Sequence, residues 1–143
     1  MTYDFKKFEA VLKKWNLVLT EEQKNQFLTY YEMLVEKNKV MNLTSVTEFN
    51  EVVEKHFLDS ISLWTIEDLS QRKKVLDLGT GAGFPGIPLK IMFSELEITL
   101  ADSLNKRILF LQEVIDALKL QNISAIHGRA EEMAKQENSF LND

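Results

Sequence analysis

The 143-residue sequence contains no cysteine, so it can form neither a disulfide framework nor a metal site with thiolate ligands. It also has no run that approaches the roughly 18 consecutive apolar residues of a membrane-spanning helix. Residues 1–7 lack the apolar core of a secretory signal peptide. These absences predict a cytoplasmic protein without a membrane partner.

Positive charge is also in short supply, because 17 Lys and Arg residues stand against 22 Asp and Glu residues. The resulting net charge of −5 argues against binding nucleic acid through bulk electrostatic attraction. Basic doublets occur at residues 6–7, 13–14, 73–74 and 106–107, but such pairs are typical of solvated helix surfaces. Composition alone therefore does not indicate an RNA partner.

Glycine is scarce, with five residues in all, and three of them stand at alternate positions in residues 79–83. They follow a short apolar segment, residues 75–78, that is typical of a buried strand. The apolar segment behind them contains Pro88, which suits a first helical turn. Strand, glycine turn and helix form the front half of a nucleotide-binding βαβ unit, where glycines let the backbone approach a cofactor closely.

The periodicity of apolar residues divides the chain into a helical cap, residues 1–74, and an αβ part, residues 75–143. Three helices are predicted in the cap, from the spacing of its apolar residues and from capping signals. They are a helix over about residues 3–14, a helix opened by the capping box of Thr20 and Gln23 and running to about residue 37, and a helix capped by Thr47.

The αβ part is predicted to contain three parallel strands joined by helices, so the fold class is α/β. The strands are expected over residues 75–78, 97–102 and 123–126, and a helix over residues 105–118 with Ile108, Leu109, Leu111, Ile115 and Leu118 facing inward. Because crossovers between parallel strands are right-handed, we expect the strand order 3-2-1.

Residues 81–86 match the GxGxxG dinucleotide fingerprint, and Asp102 follows about 20 residues later, where an acid can bind ribose hydroxyls. An NAD-dependent oxidoreductase is therefore one hypothesis. Phe84 and Pro85 argue against it, because a pyrophosphate needs a helix N-terminus directly behind the second glycine. The loop suits a cofactor without phosphates, and S-adenosylmethionine meets this description.

Residues at the carboxyl ends of the strands are the candidates for binding S-adenosylmethionine. Asp77 would place a carboxylate near the sulfonium or the amino-acid group, and Asp102 would accept hydrogen bonds from both ribose hydroxyls. After the third strand, a side chain or amide in residues 129–131 (Arg-Ala-Glu) would reach the adenine edge. Simpler interpretations stay open, because Asp77 can cap the loop, Asp102 can cap a helix and Glu131 can supply charge at a helix start.

Several segments together carry a family resemblance. They are residues 42–46 (Asn-Leu-Thr-Ser-Val), 56–60 (His-Phe-Leu-Asp-Ser), 77–89 with the two prolines of the glycine loop, 102–107 and 129–132. In this order the chain resembles the bacterial small-subunit ribosomal RNA guanine-N7 methyltransferases, also called glucose-inhibited division protein B. The resemblance implies a Rossmann-like methyltransferase fold, with S-adenosylmethionine bound at Gly79, Phe84, Ala130 and Glu131. Asp77, Gly81 and Asp102 fit the same site, and the implied substrate is a guanine in 16S ribosomal RNA.

This resemblance carries further expectations about catalysis and completeness. Guanine N7 has a free lone pair, so no catalytic general base is predicted, and His56 with Asp59 is expected to have a structural role. Members of the family usually run longer, with four more strands, so we expect a truncated chain that is weak or inactive as a catalyst. Residues 75–78 would then form an exposed sheet edge that favours self-association. A non-catalytic RNA-binding fragment is the second alternative.

Overall fold

The computed structural model describes residues 3–63 and 73–129 of the chain. The helices and strands are α1 (Lys6–Lys14), α2 (Glu21–Met41), α3 (Phe49–Val52), a π-helical segment (Val53–Leu58), α4 (Asp59–Ile61), β1 (Lys74–Leu78), α5 (Gly86–Met92), β2 (Glu97–Asp102), α6 (Asn105–Leu118) and β3 (Ile123–His127). The predicted cofactor residues Ala130 and Glu131 lie outside the described residues. No helix within the described ranges is long and apolar enough to cross a membrane.

The three strands form a parallel sheet in the order β1-β2-β3. This is the same arrangement as the predicted order 3-2-1, counted from the opposite edge of the sheet, so the prediction is confirmed. In the register, Asp77 of β1 is paired with Leu100 of β2. Alternate residues of a strand point to the same face, so Asp77, Leu100 and Asp102 share one face. The register therefore brings the two predicted acids to the same face at the carboxyl end of the sheet.

Helix α2 begins as predicted and ends later than predicted. The Thr20 side chain accepts a hydrogen bond from the Gln23 backbone and the Gln23 side chain accepts one from the Thr20 backbone, which confirms the capping box. The predicted end near residue 37 is wrong, because the helix continues to Met41. It stops where Asn42 adopts a left-handed conformation (φ 53°), which Asn tolerates better than most residues.

The next helix is capped by Glu48 and not, as predicted, by Thr47. The Glu48 carboxylate accepts hydrogen bonds from the backbone N–H groups of Asn50 (3.1 Å) and Glu51 (2.9 Å). A carboxylate is favourable at this position because it also neutralises the partial positive charge of the helix start. The Thr47 carbonyl instead accepts a hydrogen bond from the Tyr31 hydroxyl.

The bounds predicted for α6 are confirmed, but one residue of its predicted inward face is not. Leu109 is 59% exposed, whereas Phe110 and Val114 are buried. Helix α6 contacts β2 and β3 on one side and α2 on another, so its buried face is wider than a single apolar stripe. Phe110 and residues of α2 such as Met33 line the same surface depression, on the side of α6 that the sequence pattern did not identify.

The cap helices and the αβ part share one hydrophobic core. A chain of aromatic contacts runs through it: the ring centroids of Phe8 and Phe27 are 5.0 Å apart, and those of Phe27 and Phe57 are also 5.0 Å apart. Phe57 is in turn 6.2 Å from Phe84 of the glycine loop. The cap therefore packs directly against the loop that follows β1.

A buried lysine, Lys90, lies in the last turn of α5. The Lys90 side chain is 3% exposed, and its ammonium group donates hydrogen bonds to the carbonyls of Ser94 (2.7 Å) and Leu96 (2.5 Å). Both carbonyls belong to the segment that follows α5, so Lys90 ties this segment to the last turn of the helix.

Candidate cofactor-binding site

The glycine loop connects β1 to α5 at the carboxyl end of the sheet. The backbone N–H groups of Gly79 and Thr80 both donate to the Ala101 carbonyl, at 2.8 and 3.1 Å, so the loop begins against β2. Gly79 (φ 67°), Gly81 (φ 60°) and Gly83 (φ 107°) all have positive φ values. Side chains disfavour this conformation, which explains why glycine recurs at alternate positions.

The first two glycines border open space. A Cβ atom added to either Gly79 or Gly81 would have no heavy atom of the protein within 4 Å, outside the neighbouring residues. A ligand can therefore approach the backbone at both positions. This part of the loop, residues 79–81, is called the open segment below.

The other two glycines are packed against the protein. A Cβ atom at Gly83 would lie 2.6 Å from the Tyr30 hydroxyl oxygen and 2.7 Å from Ile87 Cδ1. At Gly86 it would collide with Leu100 Cδ2 and lie 3.0 Å from Asp77 Oδ2. Close packing therefore adds to the positive φ value as a reason for glycine at position 83, and it is the reason at position 86.

Asp77 caps the loop. Its side chain is buried, and Oδ2 accepts hydrogen bonds from the Thr80 hydroxyl (2.7 Å) and from the Gly86 N–H (3.0 Å). Burial raises the pKa of the Asp77 carboxyl, the two hydrogen bonds lower it, and the nearby charge of Asp102 raises it. A cation beside this carboxyl would reduce the cost of keeping it ionised, so the loop-capping position is compatible with the predicted binding role.

Asp102 ties the open segment to β2. Its side chain is 2% exposed, and its two oxygens accept hydrogen bonds from the N–H groups of Gly81 and Leu104, both at 2.9 Å. Arg107 Nη1 lies 3.4 Å from each oxygen. Both oxygens of Asp102 are thus already bonded to the chain, and a ribose hydroxyl would have to take the place of the long contacts with Arg107.

Phe84 lies at the boundary between the loop and the cap. Its ring is half-buried and stacks on the His56 imidazole, with centroids 4.4 Å apart and an angle of 10° between the planes. His56 Nε2 is also 2.8 Å from the Thr44 hydroxyl, and burial lowers the pKa of His56. This geometry fits the structural role expected for His56. No group of three or more His, Asp or Glu side chains in the described ranges is arranged to hold a metal ion.

Tyr30 of α2 contacts the loop, although the sequence pattern did not identify it as a site residue. Its side chain is fully buried, and its hydroxyl donates a 2.6 Å hydrogen bond to the Ala82 carbonyl. Burial raises the pKa of Tyr30 well above its ordinary value, and the Asp77 charge adds to this effect, so the hydroxyl stays protonated. A tyrosine on the buried face of a helix usually has a hydrogen-bond partner for its hydroxyl. A tyrosine at position 30 of an otherwise apolar face was therefore the signal that could have identified this residue.

Comparisons with known proteins agree with this architecture. A family model, GidB, described as rRNA small subunit methyltransferase G, matches residues 23–141. Ribosomal RNA small subunit methyltransferase G of Lachnoclostridium phytofermentans is 54% identical over 125 residues, which cover 87% of this chain and 52% of that protein. The protein of the same name from Staphylococcus aureus (strain JH9) is 54% identical over 124 residues, with the same coverage. The chain spans about half the length of these curated relatives.

Solved structures share the fold at low sequence identity. A protein-L-isoaspartate O-methyltransferase has a TM-score of 0.52 at 14% identity, with 88% of this chain and 42% of that chain covered. A mutant of MtNAS has a TM-score of 0.50 at 15% identity, with 88% and 50% covered. These likenesses confirm the predicted Rossmann-like methyltransferase fold. Together with the family match and the 54% identity to two relatives, they lead to the conclusion that the chain belongs to the GidB family of small-subunit ribosomal RNA methyltransferases.

Proposed function

We propose that the protein binds S-adenosylmethionine at the open segment and methylates guanine N7 in 16S ribosomal RNA of the small ribosomal subunit. One observation carries this proposal: Gly79 and Gly81 leave open space beside the backbone, next to a buried carboxylate at the end of β2. Residues 1–74 would act as a helical cap, and residues 75–143 as the N-terminal half of the cofactor-binding domain.

Each predicted site residue has a role in this proposal. Gly79 and Gly81 would let the cofactor lie against the backbone, and Phe84 would border it from the side of the cap. Asp77 would face the positive charge of the cofactor, and Asp102 would accept hydrogen bonds from the ribose in place of its long contacts with Arg107. Two further residues, Ala130 and Glu131, would complete the adenine end.

S-adenosylmethionine supplies an electrophilic methyl group on a sulfonium centre. Guanine N7 has an in-plane lone pair, so the protein does not have to remove a proton before attack. The tasks left to the chain are to hold methyl donor and base in line and to accommodate the positive charge that passes from sulfur to base. A buried carboxylate such as Asp77 suits the second task, and no side chain is needed as a general base.

The hydrogen bonds of the loop argue against the oxidoreductase alternative. A dinucleotide cofactor needs free backbone amides at the start of the helix to bind its pyrophosphate. The N–H groups of Gly86 and Ile87 already donate to Asp77 and to the Gly83 carbonyl, at 3.0 and 2.8 Å. Pro85 and Pro88 have no N–H group to offer. The start of α5 therefore has no free amide for phosphate among these residues.

Titration with S-adenosylmethionine, S-adenosylhomocysteine and NAD by calorimetry tests the cofactor assignment. We expect the first two ligands to bind and NAD to give no heat of binding. Binding of NAD without binding of either sulfur-containing ligand would refute the assignment. Retained affinity for 16S ribosomal RNA without affinity for any cofactor would favour the non-catalytic RNA-binding alternative.

Transfer of a labelled methyl group to 30S subunits and to protein-free 16S ribosomal RNA tests the reaction. Borohydride reduction and aniline cleavage would identify N7-methylguanine in the product. Because the chain spans about half the length of its relatives, we expect its own turnover to be weak. Full turnover by the 143-residue chain would contradict that expectation but would support the assigned chemistry.

We also propose that the chain is cytoplasmic and that it self-associates through β1. Among the described residues β1 pairs only with β2, and Leu78 at its end is exposed. An unpaired strand edge offers N–H and C=O groups to a second copy of the chain. Sedimentation over a range of concentrations should show reversible association, and a monomer at every concentration would exclude it.

A further inference from the structure

We propose that Tyr30 of α2 is a positioning residue for the cofactor site, because its hydroxyl fixes the carbonyl that directly follows the open segment. This inference rests on the proposed function of the loop. In this proposal the cap influences cofactor binding through the loop, without any cap residue touching the cofactor.

The first support is the hydrogen bond itself. The Tyr30 hydroxyl donates to the Ala82 carbonyl at 2.6 Å, and both residues are buried. Water cannot replace the hydroxyl at such a site, so its removal would leave a buried carbonyl without this donor. Ala82 is adjacent to Gly81, so a shift of its carbonyl would also move the backbone of the open segment.

The second support is the close fit around this hydroxyl. The space for a Cβ atom at Gly83 lies only 2.6 Å from the Tyr30 oxygen, so the hydroxyl can occupy its place only because residue 83 is glycine. The Tyr30 ring lies 5.6 Å from Phe57 with 22° between the planes, and 5.7 Å from Phe84. The ring contacts and the close fit at Gly83 therefore hold both the ring and the hydroxyl of Tyr30 in position.

The third support is the distribution of hydrogen bonds along the loop. Asp102 of β2 accepts from Gly81, Tyr30 of α2 donates to Ala82, and Asp77 of β1 accepts from Gly86. Three different elements thus fix three points of one short loop. Of these, only the contact made by Tyr30 comes from the cap, so this hydrogen bond couples the cap to the open segment.

Tyr30→Phe and Tyr31→Phe form a matched pair of variants. Tyr31 is the next residue of the same helix, and its hydroxyl also donates to a carbonyl at 2.6 Å, but that carbonyl belongs to Thr47 in the cap. Both substitutions remove one hydroxyl and keep the ring. Only Tyr30→Phe removes a contact with the glycine loop.

The experiment measures hydrogen exchange in peptides that cover residues 78–89, the dissociation constant for S-adenosylhomocysteine and the thermal midpoint of each variant. For Tyr30→Phe we expect exchange in the loop to rise and the dissociation constant to increase by about 5- to 100-fold, which corresponds to the usual penalty for an unsatisfied buried group. Tyr31→Phe should lower the thermal midpoint and leave both loop measurements unchanged.

Equal thermal losses in the two variants, with loop exchange and affinity unchanged, would show that Tyr30 is merely structural and would overturn the proposal. Failure of the wild-type chain to bind S-adenosylhomocysteine would count against the proposed function alone, since the exchange measurement needs no ligand. If Tyr30→Phe does not fold, 3-fluorotyrosine at position 30 keeps ring and hydroxyl and makes the hydroxyl a stronger donor. Slower loop exchange is then expected, and unchanged exchange would again overturn the proposal.

Discussion

The two halves of the glycine loop contain the same residue for different reasons. At Gly79 and Gly81 a side chain would meet no protein atom, but the positive φ values disfavour one. At Gly83 and Gly86 a side chain would meet Tyr30, Ile87, Leu100 or Asp77. The first half leaves open space beside the backbone, and the second half lets the loop pack against the cap and the sheet.

This difference separates binding from stability within a few residues. Substitutions in the packed half should act mainly on the free energy of unfolding, because they force side chains of the core apart. Substitutions in the open half should act mainly on cofactor affinity, because the added atoms occupy space that the protein does not use. Four substitutions test this separation, from the largest expected effect on stability to the smallest.

Gly83→Ala should have the largest effect. The φ value of 107° would be strained for alanine, at about 1–3 kcal/mol, and the Cβ atom would crowd Tyr30 and Ile87, at about 1–3 kcal/mol more. Urea unfolding at pH 7 measures the loss. A change below about 1 kcal/mol would contradict the packing seen at Gly83.

Gly86→Ala should destabilise the chain less, by about 1–3 kcal/mol, because φ at this position is not in the positive range and only overpacking remains. Most of the overlap is with one methyl group of Leu100. Combining Gly86→Ala with Leu100→Val should therefore restore part of the stability, measured by a double-mutant cycle in urea. Strictly additive losses would show that Leu100 is not the obstacle.

Gly81→Ala should cost only about 1–2 kcal/mol of stability, because the left-handed conformation is the sole penalty. Its larger effect should fall on the ligand: we expect the dissociation constant for S-adenosylhomocysteine to rise at least about tenfold, equivalent to about 1.4 kcal/mol. Calorimetry on this variant, with Gly86→Ala as the comparison, measures the difference. Unchanged affinity in Gly81→Ala would place the cofactor elsewhere.

Asp77→Asn should have the smallest effect on stability at pH 7, below about 1 kcal/mol, because an amide oxygen can accept from both Thr80 and Gly86. Burial raises the pKa of Asp77 in the folded state. As pH rises from about 4, the carboxyl of the unfolded chain releases its proton first, so this group lowers stability until the raised pKa is passed.

Asp77→Asn should therefore not show the decline in stability that Asp77 causes in the wild-type chain above pH 4. Urea unfolding of both proteins between pH 4 and 7 measures this difference. Affinity for S-adenosylhomocysteine should fall, because the neutral amide no longer attracts the cofactor's ammonium group. A variant with the wild-type pH dependence would show that Asp77 is not the titrating group. If Asp77→Asn bound S-adenosylhomocysteine as tightly as the wild-type chain, the role of Asp77 would be only to cap the loop.

Much of the fold was predictable because its signals are local. The bounds of α6, the capping box of Thr20 and Gln23, and the strand order follow from periodicity, short motifs and the handedness of crossovers. The exposed position of Leu109 was not predictable in this way, since α6 is covered by α2 as well as by the sheet.

The candidate site was predictable in its composition and less so in its geometry. The sequence identified Asp77 and Asp102 and left loop capping by Asp77 open, but it did not indicate that Asp102 also bonds to the loop. It identified the glycines, but not that Gly83 makes room for Tyr30, which lies more than fifty residues earlier in the chain. Contacts of this kind depend on tertiary packing, which a motif with fixed spacing does not contain.

The buried amine at the end of α5 has a practical consequence. Acylating reagents modify lysines in proportion to their access to solvent, and Lys90 is enclosed by the carbonyls of Ser94 and Leu96. Lys74, by contrast, has an exposed side chain and should be labelled at once. Slow acylation of Lys90, followed by mass spectrometry, would thus record each opening of the segment behind the glycine loop without any engineered probe.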